Sequence, residues 1–405
     1  MVRVGFALRF PPEQPFRGIH PSVMIDRSQG VGFGQRELLF NQAMNRAGSV
    51  HAQYDDLIQV LPPRREHTGP AQLQLARYGD LLLDFQFDRG GDGALFEYEL
   101  VYYPLTTDDG TPTGRKLPQP DAVVGTALRD LGPDEEAYRQ CFIAKNNRWR
   151  DDYRGLIRAL QAWSLPSPQF EQELDRVIDV DEWLRATAFA TLSGAIDNYA
   201  SGAQHNADFF VRPSDGRLLY FPHDLDFLGS PQGPVVGNGD LARLVAQPAW
   251  ARLYYGHLND IITTAFNATY LAPWSSQLGG LLPGQDFAGH LQYVAARADW
   301  VMRGAPDAVT RAIPPIAFQI TTNGGAAFAV AAPSATLDGA GWVDVAAIHR
   351  AGAPLTATWP SRTGWRVTTP LACGANLLAL EARDRRGRPV GADTVTVTRT
   401  GAGCP

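Results

Sequence analysis

The chain is short of lysine, cysteine and long apolar runs. Its 36 basic residues include only two lysines, Lys116 and Lys145, so a phosphate-binding lysine must be one of these two or be replaced by arginine. The three cysteines, Cys141, Cys373 and Cys404, form no Cys-x-x-Cys pair, which argues against a zinc site. No run of about 18 apolar residues exists, so the sequence predicts no membrane span.

An excess of positive charge is also missing. The chain has 42 acidic residues against 36 basic ones, for a net charge of −6. Proteins that bind nucleic acid usually present a basic face, so we expect no nucleic-acid partner. The hydrophobic share of 44% is that of an ordinary globular protein, and 405 residues allow two or three domains.

The pattern of apolar residues predicts an α+β chain with two domains. Residues 1–312 mix strand-like and helix-like segments, whereas short alternating runs separated by Gly, Pro and Asn fill 313–405. Such closely spaced strands predict a small all-β, immunoglobulin-like sandwich. Cys373 and Cys404 both lie in that domain and could form a disulfide, whereas Cys141 has an apolar context typical of a buried thiol.

Periodicity also predicts individual elements of the first domain. Apolar residues alternate over Val2–Phe10 from the first positions, so we expect a half-buried strand in a chain that begins inside a domain. Asp181 is the expected N-cap of the helix that follows it. The remaining expectations are a helix over Leu38–Val60, strands over Leu81–Phe87 and Leu95–Tyr103, and helices over 248–268 and 285–302.

One segment carries a pattern with chemical meaning. A helix leads into a loop that holds Asp197 and Asn206, and the second strand of a predicted hairpin delivers Asp224 and Asp226. Alternate residues of a strand share a face, so the last two carboxylates would repel each other unless a cation such as Mg²⁺ lies between them. Phosphoryl transfer requires such a metal set and a separate carboxylate for the nucleophile, in this chain order.

The residues alone leave other interpretations open. Asp197 could cap a turn while Asp224 and Asp226 are solvated or salt-bridged. His205 could be a hydrogen-bonded structural group, which is commoner at a loop end than a base or a ligand. The same acidic residues could instead bind Ca²⁺ in a purely structural domain.

The segment resembles the CotH kinase family, which is named for a bacterial spore-coat protein. Upstream, Phe6–Phe10 and Pro15–Gly18 resemble the basic strand of the family and its following loop, so the similarity covers roughly residues 1–305. The motifs that carry it are Asp181-Glu182-Trp183-Leu184, Asp197, His205-Asn206, Phe209-Phe210 and Pro222-His223-Asp224-Leu225-Asp226.

The resemblance implies an atypical protein-kinase-like fold over 1–312 that binds ATP and Mg²⁺ or Mn²⁺. It implies phosphorylation of serine or threonine on secreted or surface proteins, and therefore an extracytoplasmic location. The alternative is a catalytically inactive, kinase-like surface or structural protein. The implied site residues are Asp197 as the catalytic residue, Asn206, Asp224 and Asp226 as metal ligands, and Arg3, Arg9 and Glu99 near the nucleotide.

Overall fold

A computed structural model describes most of the chain, with helices and antiparallel sheets that confirm the α+β class. No helix in this part of the chain is long and apolar enough to cross a membrane. The described residues are 5–26, 36–50, 54–61, 63, 68–75, 79–98, 108–109, 111, 128–139, 141–225, 227–282 and 284–401.

Contacts divide the chain into two compact units. Unit 1 contains residues 1–240 and 264–298, and unit 2 contains 241–263 and 299–405. The predicted boundary between residues 312 and 313 differs from this division, because two segments before it, 241–263 and 299–312, group with the C-terminal strands.

Unit 1 contains two four-stranded antiparallel sheets. Sheet A has the order β1-β2-β4-β3, and sheet B has the order β6-β5-β7-β8. The strands of sheet A are β1 Phe6–Arg9, β2 Ser22–Asp26, β3 Asp55–Val60 and β4 Gly69–Gln74. Those of sheet B are β5 Ala94–Tyr98, β6 Phe142–Ala144, β7 Ala207–Val211 and β8 Leu218–Pro222.

Eleven α-helices are present in the described part of the chain, two of them with four residues each. The first six are α1 Arg36–Ala47, α2 Asp80–Gln86, α3 Glu136–Arg139, α4 Arg154–Trp163, α5 Gln169–Val177 and α6 Val180–Ser193. The others are α7 Gly239–Val245, α8 Pro248–Thr264, α9 Ala268–Leu281, α10 Phe287–Asp299 and α11 Val309–Ala312.

Several predicted elements were wrong in type or extent. The helix expected over Leu38–Val60 ends at Ala47, because Gly48 takes a left-handed conformation with φ 70°. The expected strand over Leu81–Phe87 is helix α2, whose Leu82 and Leu83 pack on sheet B.

Two further expectations are corrected. The N-cap of α6 is Asp179 rather than Asp181, because the Asp179 side chain accepts the backbone N–H of Glu182 at 3.3 Å. The described residues of β1 are exposed on both faces rather than half-buried. A strand at the edge of a sheet has one free hydrogen-bonding side, and here its side chains are uncovered as well.

Unit 2 is a two-sheet β domain together with helical segments. The five-stranded sheet has the order β10-β17-β16-β12-β13, and the four-stranded sheet has the order β14-β15-β11-β9. Leu337, Trp365 and Leu378 belong to one buried cluster that contains side chains of both sheets. The strands are β9 Gln319–Ile320, β10 Phe328–Val330, β11 Ser334–Ala340, β12 Ala347–Arg350, β13 Ala353–Leu355, β14 Ala357–Thr358, β15 Gly364–Pro370, β16 Gly374–Arg383 and β17 Pro389–Arg399.

Helix α8 is joined to the sheets of unit 2 by Arg252. Its buried guanidinium donates to the backbone carbonyls of Gly341, Arg362 and Val345 at 2.9, 3.0 and 2.8 Å, and also to that of Trp342. The guanidinium lies 3.5 Å from the centroid of the Trp359 ring. Buried carbonyls need donors, and this one side chain donates to the carbonyls of several residues outside the strands.

The cysteines follow the expected division. Cys373 is disulfide-bonded, whereas Cys141 is a buried free thiol. The expected partner of Cys373, Cys404, lies outside the described residues.

Gly339 provides a test of the packing in unit 2. A Cβ at this position would lie 1.9 Å from Cζ2 of Trp365 and 2.3 Å from the backbone oxygen of Gln319. We expect Gly339→Ala to lower the free energy of unfolding by about 1–3 kcal/mol, because neither neighbour can move away freely. Chemical denaturation followed by circular dichroism measures this loss. Gly280→Ala in α9, where a Cβ would meet nothing within 4 Å, is the matched control and should cause no loss.

Candidate functional site

The two faces of sheet B differ in chemistry because successive side chains of a strand point to opposite sides. Phe96, Phe209 and Tyr220 lie opposite one another in the strand register and therefore share one face. Trp183 of α6 packs on this face, with its ring centroid 5.2 Å from that of Phe209 and 5.6 Å from that of Tyr220. Burial raises the pKa of Tyr220 above its usual range, so this face stays uncharged.

The opposite face is apolar at one end and charged at the other. Leu95, Phe210 and Leu219 lie in one row and pack against Leu82 and Leu83 of α2. Two residues further along the strands the same face carries Glu97 and Asp208, which are direct cross-strand partners. Lys145 and His223 follow the ends of β6 and β8 on this side.

These four side chains form a compact charged cluster. The Nζ atom of Lys145 lies 2.9 Å from Oε1 of Glu97 and 3.8 Å from Oδ1 of Asp208. The Nε2 atom of His223 lies 3.8 Å from the same Asp208 oxygen, and potential ligand atoms of Glu97, Asp208 and His223 all lie within 4.8 Å of one another. Asp208 is only 1% exposed, and a buried carboxylate requires a nearby cation. Lys145 supplies that charge, and a bound metal ion would have to compete with it.

The predicted catalytic residue Asp197 lies in a loop that is anchored at both ends. Helix α6 begins beside β8, where the N–H of Asp179 donates to the carbonyl of Leu218 at 3.1 Å, and it ends at Ser193. The chain then pairs with the segment after β8, since the N–H of Ile196 donates to the carbonyl of Phe227 at 3.0 Å. Asp197 is therefore one residue beyond a backbone pairing that involves the loop of Asp224.

Asn206 links this loop to the end of the hairpin. Its Nδ2 donates to the backbone carbonyl of Asp197 at 3.3 Å, and its own carbonyl accepts the N–H of His223 at 3.3 Å. Asp224 is the next residue and is exposed. Both Asn206 and Asp224 have left-handed backbones, with φ of 53° and 51°, a conformation that Asn and Asp tolerate better than most residues. The structure thus brings Asp197, Asn206 and Asp224 together at one end of the hairpin.

Of the residues expected near the nucleotide, Arg9 lies within the described part of the chain. Arg9 is exposed on β1 and lines a cavity of about 370 Å³ with residues of β2, β4 and the start of α2, a volume within the usual range for ligand pockets. Arg3, Glu99 and the expected metal ligand Asp226 lie outside the described residues.

Four cluster residues were not predicted as a set. Glu97 and Asp208 are brought together only by strand pairing, and His223 was noted only as part of the Pro222–Asp226 motif. The scarcity of lysine was the available signal for Lys145, because it left two candidates for any functional lysine. No protein-family model matches the chain, and no curated protein shows significant similarity to it.

The charged cluster predicts a coupling between Lys145 and Glu97. Lys145→Met removes a cation that lies 3.8 Å from the buried Asp208, so we expect a loss of about 1–3 kcal/mol in the free energy of unfolding, measured by chemical denaturation. The side chains of Lys145 and Glu97 are 23% and 26% exposed, which limits the effect. In the double variant with Glu97→Gln, the loss in the free energy of unfolding should be smaller than the sum of the losses in the two single variants.

Arg176→Met is the control for this prediction. Arg176 pairs with Glu173 on α5, and the two side chains are 71% and 43% exposed. An exposed pair contributes little, so a loss below about 0.5 kcal/mol is expected. Equal losses for Lys145→Met and Arg176→Met would contradict the role of Lys145 as the counter-charge of Asp208.

Proposed function

We propose that this chain is an ATP- and Mg²⁺-dependent phosphotransferase with an atypical, CotH-like kinase fold over its N-terminal domain. Its substrates would be serine or threonine residues of secreted or surface proteins. The observation that carries the proposal is that three hydrogen bonds hold the segments of Asp197, Asn206 and Asp224 together. Their donors are the backbone N–H of Ile196, the side-chain Nδ2 of Asn206 and the backbone N–H of His223. The set of Asp197, Asn206 and Asp224 matches the one that phosphoryl transfer requires.

Each residue has a distinct role in the proposed reaction. The hydroxyl oxygen of the substrate attacks the γ-phosphorus of ATP, its proton passes to Asp197, and the bond to the β,γ-bridging oxygen breaks to release ADP. Asp197 also orients the hydroxyl before attack, and this positioning contributes to catalysis in addition to the proton transfer. Lys145, held by Glu97 at 2.9 Å, provides a cation on the same sheet for the phosphates.

The chemistry of the donor atoms fits a hard divalent cation. Asn206 uses its Nδ2 as a donor to Asp197, so the atom it can offer to a metal is the oxygen Oδ1. Asp224 offers carboxylate oxygens from an exposed position, and Mg²⁺ prefers oxygen ligands of both kinds. Bound there, Mg²⁺ would neutralise phosphate charge and hold the γ-phosphate in line.

The proposed location outside the cytoplasm has support from a second feature. Cys373 is disulfide-bonded, and disulfides persist mainly in secreted and surface proteins. The β domain with this disulfide would then be a module of an exported kinase. Its immunoglobulin-like character remains a prediction.

Two substitutions separate nucleotide binding from phosphoryl transfer. Asp224→Ala removes a metal ligand, so we expect the affinity for ATP in the presence of Mg²⁺ to fall by about tenfold or more. Asp197→Asn keeps the metal ligands but loses the proton acceptor, so binding should persist while the rate of transfer falls by about 10²–10⁴-fold. Calorimetry measures binding, and phosphate incorporation into the chain or an added serine-rich protein measures transfer.

The control is Asp215→Asn at the opposite end of the same hairpin. Asp215 pairs with Arg212 at 2.7 Å in the turn between β7 and β8, far along the strands from Asp224. This variant should bind ATP and transfer phosphate like the wild type. Equal ATP affinity in wild type and Asp224→Ala would refute the metal assignment. Tight binding without transfer by the wild type would favour the inactive, kinase-like alternative.

A further inference from the structure

Glu37 connects helix α1 to the loop that carries Asp224. Its Oε1 accepts the backbone N–H of Leu225 at 2.9 Å, one residue after Asp224. Glu37 is 8% exposed and Leu225 3%, so this hydrogen bond lies away from solvent. The two residues are 188 positions apart in the chain, and the bond therefore depends on tertiary structure alone.

Sheet A holds the Glu37 carboxylate from the other side. Its Oε2 accepts a hydrogen bond from Nε2 of Gln72 on β4 at 3.2 Å, and Gln72 is fully buried. The same Nε2 donates to Oδ2 of Asp55 at 2.7 Å, and Asn41 of α1 donates to that oxygen at 2.8 Å. With a hydrogen bond to each oxygen, the Glu37 carboxylate is held in one orientation between sheet A and the Asp224 loop.

Hydrogen bonds attach the segment after β8 on both sides of Asp224, and the bond to Glu37 lies between two of them. His223 is tied to Asn206 before Asp224, and Phe227 is tied to Ile196 after it. Between them the backbone turns through the left-handed residue Asp224, at φ 51°. Such a conformation persists only where the surroundings hold it. The bond to Leu225 is the nearest described restraint on the C-terminal side of that residue.

We propose that Glu37 is a positioning residue that fixes the direction of the Asp224 carboxylate and so sets the affinity of the site for a divalent cation. The role in cation binding rests on the proposed function of Asp224. The restraint on the loop does not, because it follows from the hydrogen bonds alone. Placement of α1 against sheet A therefore controls the geometry of the cation site.

Two measurements on the full chain test this role. Hydrogen exchange of peptides that cover 222–230 should be faster in Glu37→Ala than in the wild type, because the Leu225 N–H loses its acceptor. The dissociation constant for Mn²⁺ in the presence of ATP should rise by about tenfold, the usual size of an effect from a residue behind a metal ligand. At saturating Mn²⁺ the transfer rate should recover, which a general loss of folding would not allow. Glu37→Gln keeps one oxygen acceptor and should restore most of the Mn²⁺ affinity.

Glu182→Ala is the control for the loss of a partly buried carboxylate. Glu182 of α6 has a side chain that is 12% exposed and lies 3.7 Å from Arg212, away from the Asp224 loop. This variant should leave both exchange at 222–230 and the Mn²⁺ dissociation constant unchanged.

Unchanged exchange in Glu37→Ala would overturn the proposal. Faster exchange with an unchanged dissociation constant for Mn²⁺ would overturn the role of Glu37 in cation binding. Absence of Mn²⁺ and ATP binding by the wild type would count against the proposed function, while exchange still decides whether Glu37 holds the loop.

Discussion

The register of sheet B is the constraint on which the site depends. The pairing of Phe96 with Phe209 places both rings on the aromatic face, and the residues next to them in each strand therefore point to the opposite face. Glu97 and Asp208 follow from that choice, because they are the neighbours of this pair. A shift of either strand by one residue would turn its carboxylate toward Trp183 and its aromatic ring toward the opposite face. The large apolar area of the aromatic face therefore also fixes where the charges lie.

The burial of the Asp208 carboxylate determines which groups can lie around it. A carboxylate that is 1% exposed is tolerated only with a cation or several donors nearby, and Lys145 meets this need at 3.8 Å. Lys145 is in turn held by Glu97. The cluster and the convergent loops therefore depend on the same sheet. Strand β7 carries Asp208, and the pairing of β7 with β8 brings Asn206 and Asp224 to the same end.

The sequence predicts best the part of the site that is local in the chain. Asp197, Asn206 and Asp224 lie within 28 consecutive residues, and a helix followed by a hairpin is enough to bring them together. Glu97 and Glu37 reach the site from distant positions, through strand pairing and helix packing that no local pattern reveals.

The errors in predicted elements have the same physical origin. The apolar run Leu81–Leu83 suits a strand or a short buried helix equally well, and only its packing on sheet B decides. Two consecutive left-handed residues, Gly48 and Ser49, end a helix whose apolar pattern continues along the sequence. Asp179 and Asp181 are both good capping residues, and the hydrogen bond to Glu182 distinguishes them.

The division of the chain has a consequence for modularity. The polypeptide passes from one unit to the other three times, near residues 240, 263 and 298. A single break in the backbone therefore cannot release either unit intact, and a truncation at residue 312 would separate Arg252 from the carbonyls that it satisfies. In evolutionary terms, the β domain with α8 cannot be gained or lost by simple terminal fusion. During synthesis, neither unit has its full set of residues until the ribosome has passed residue 298.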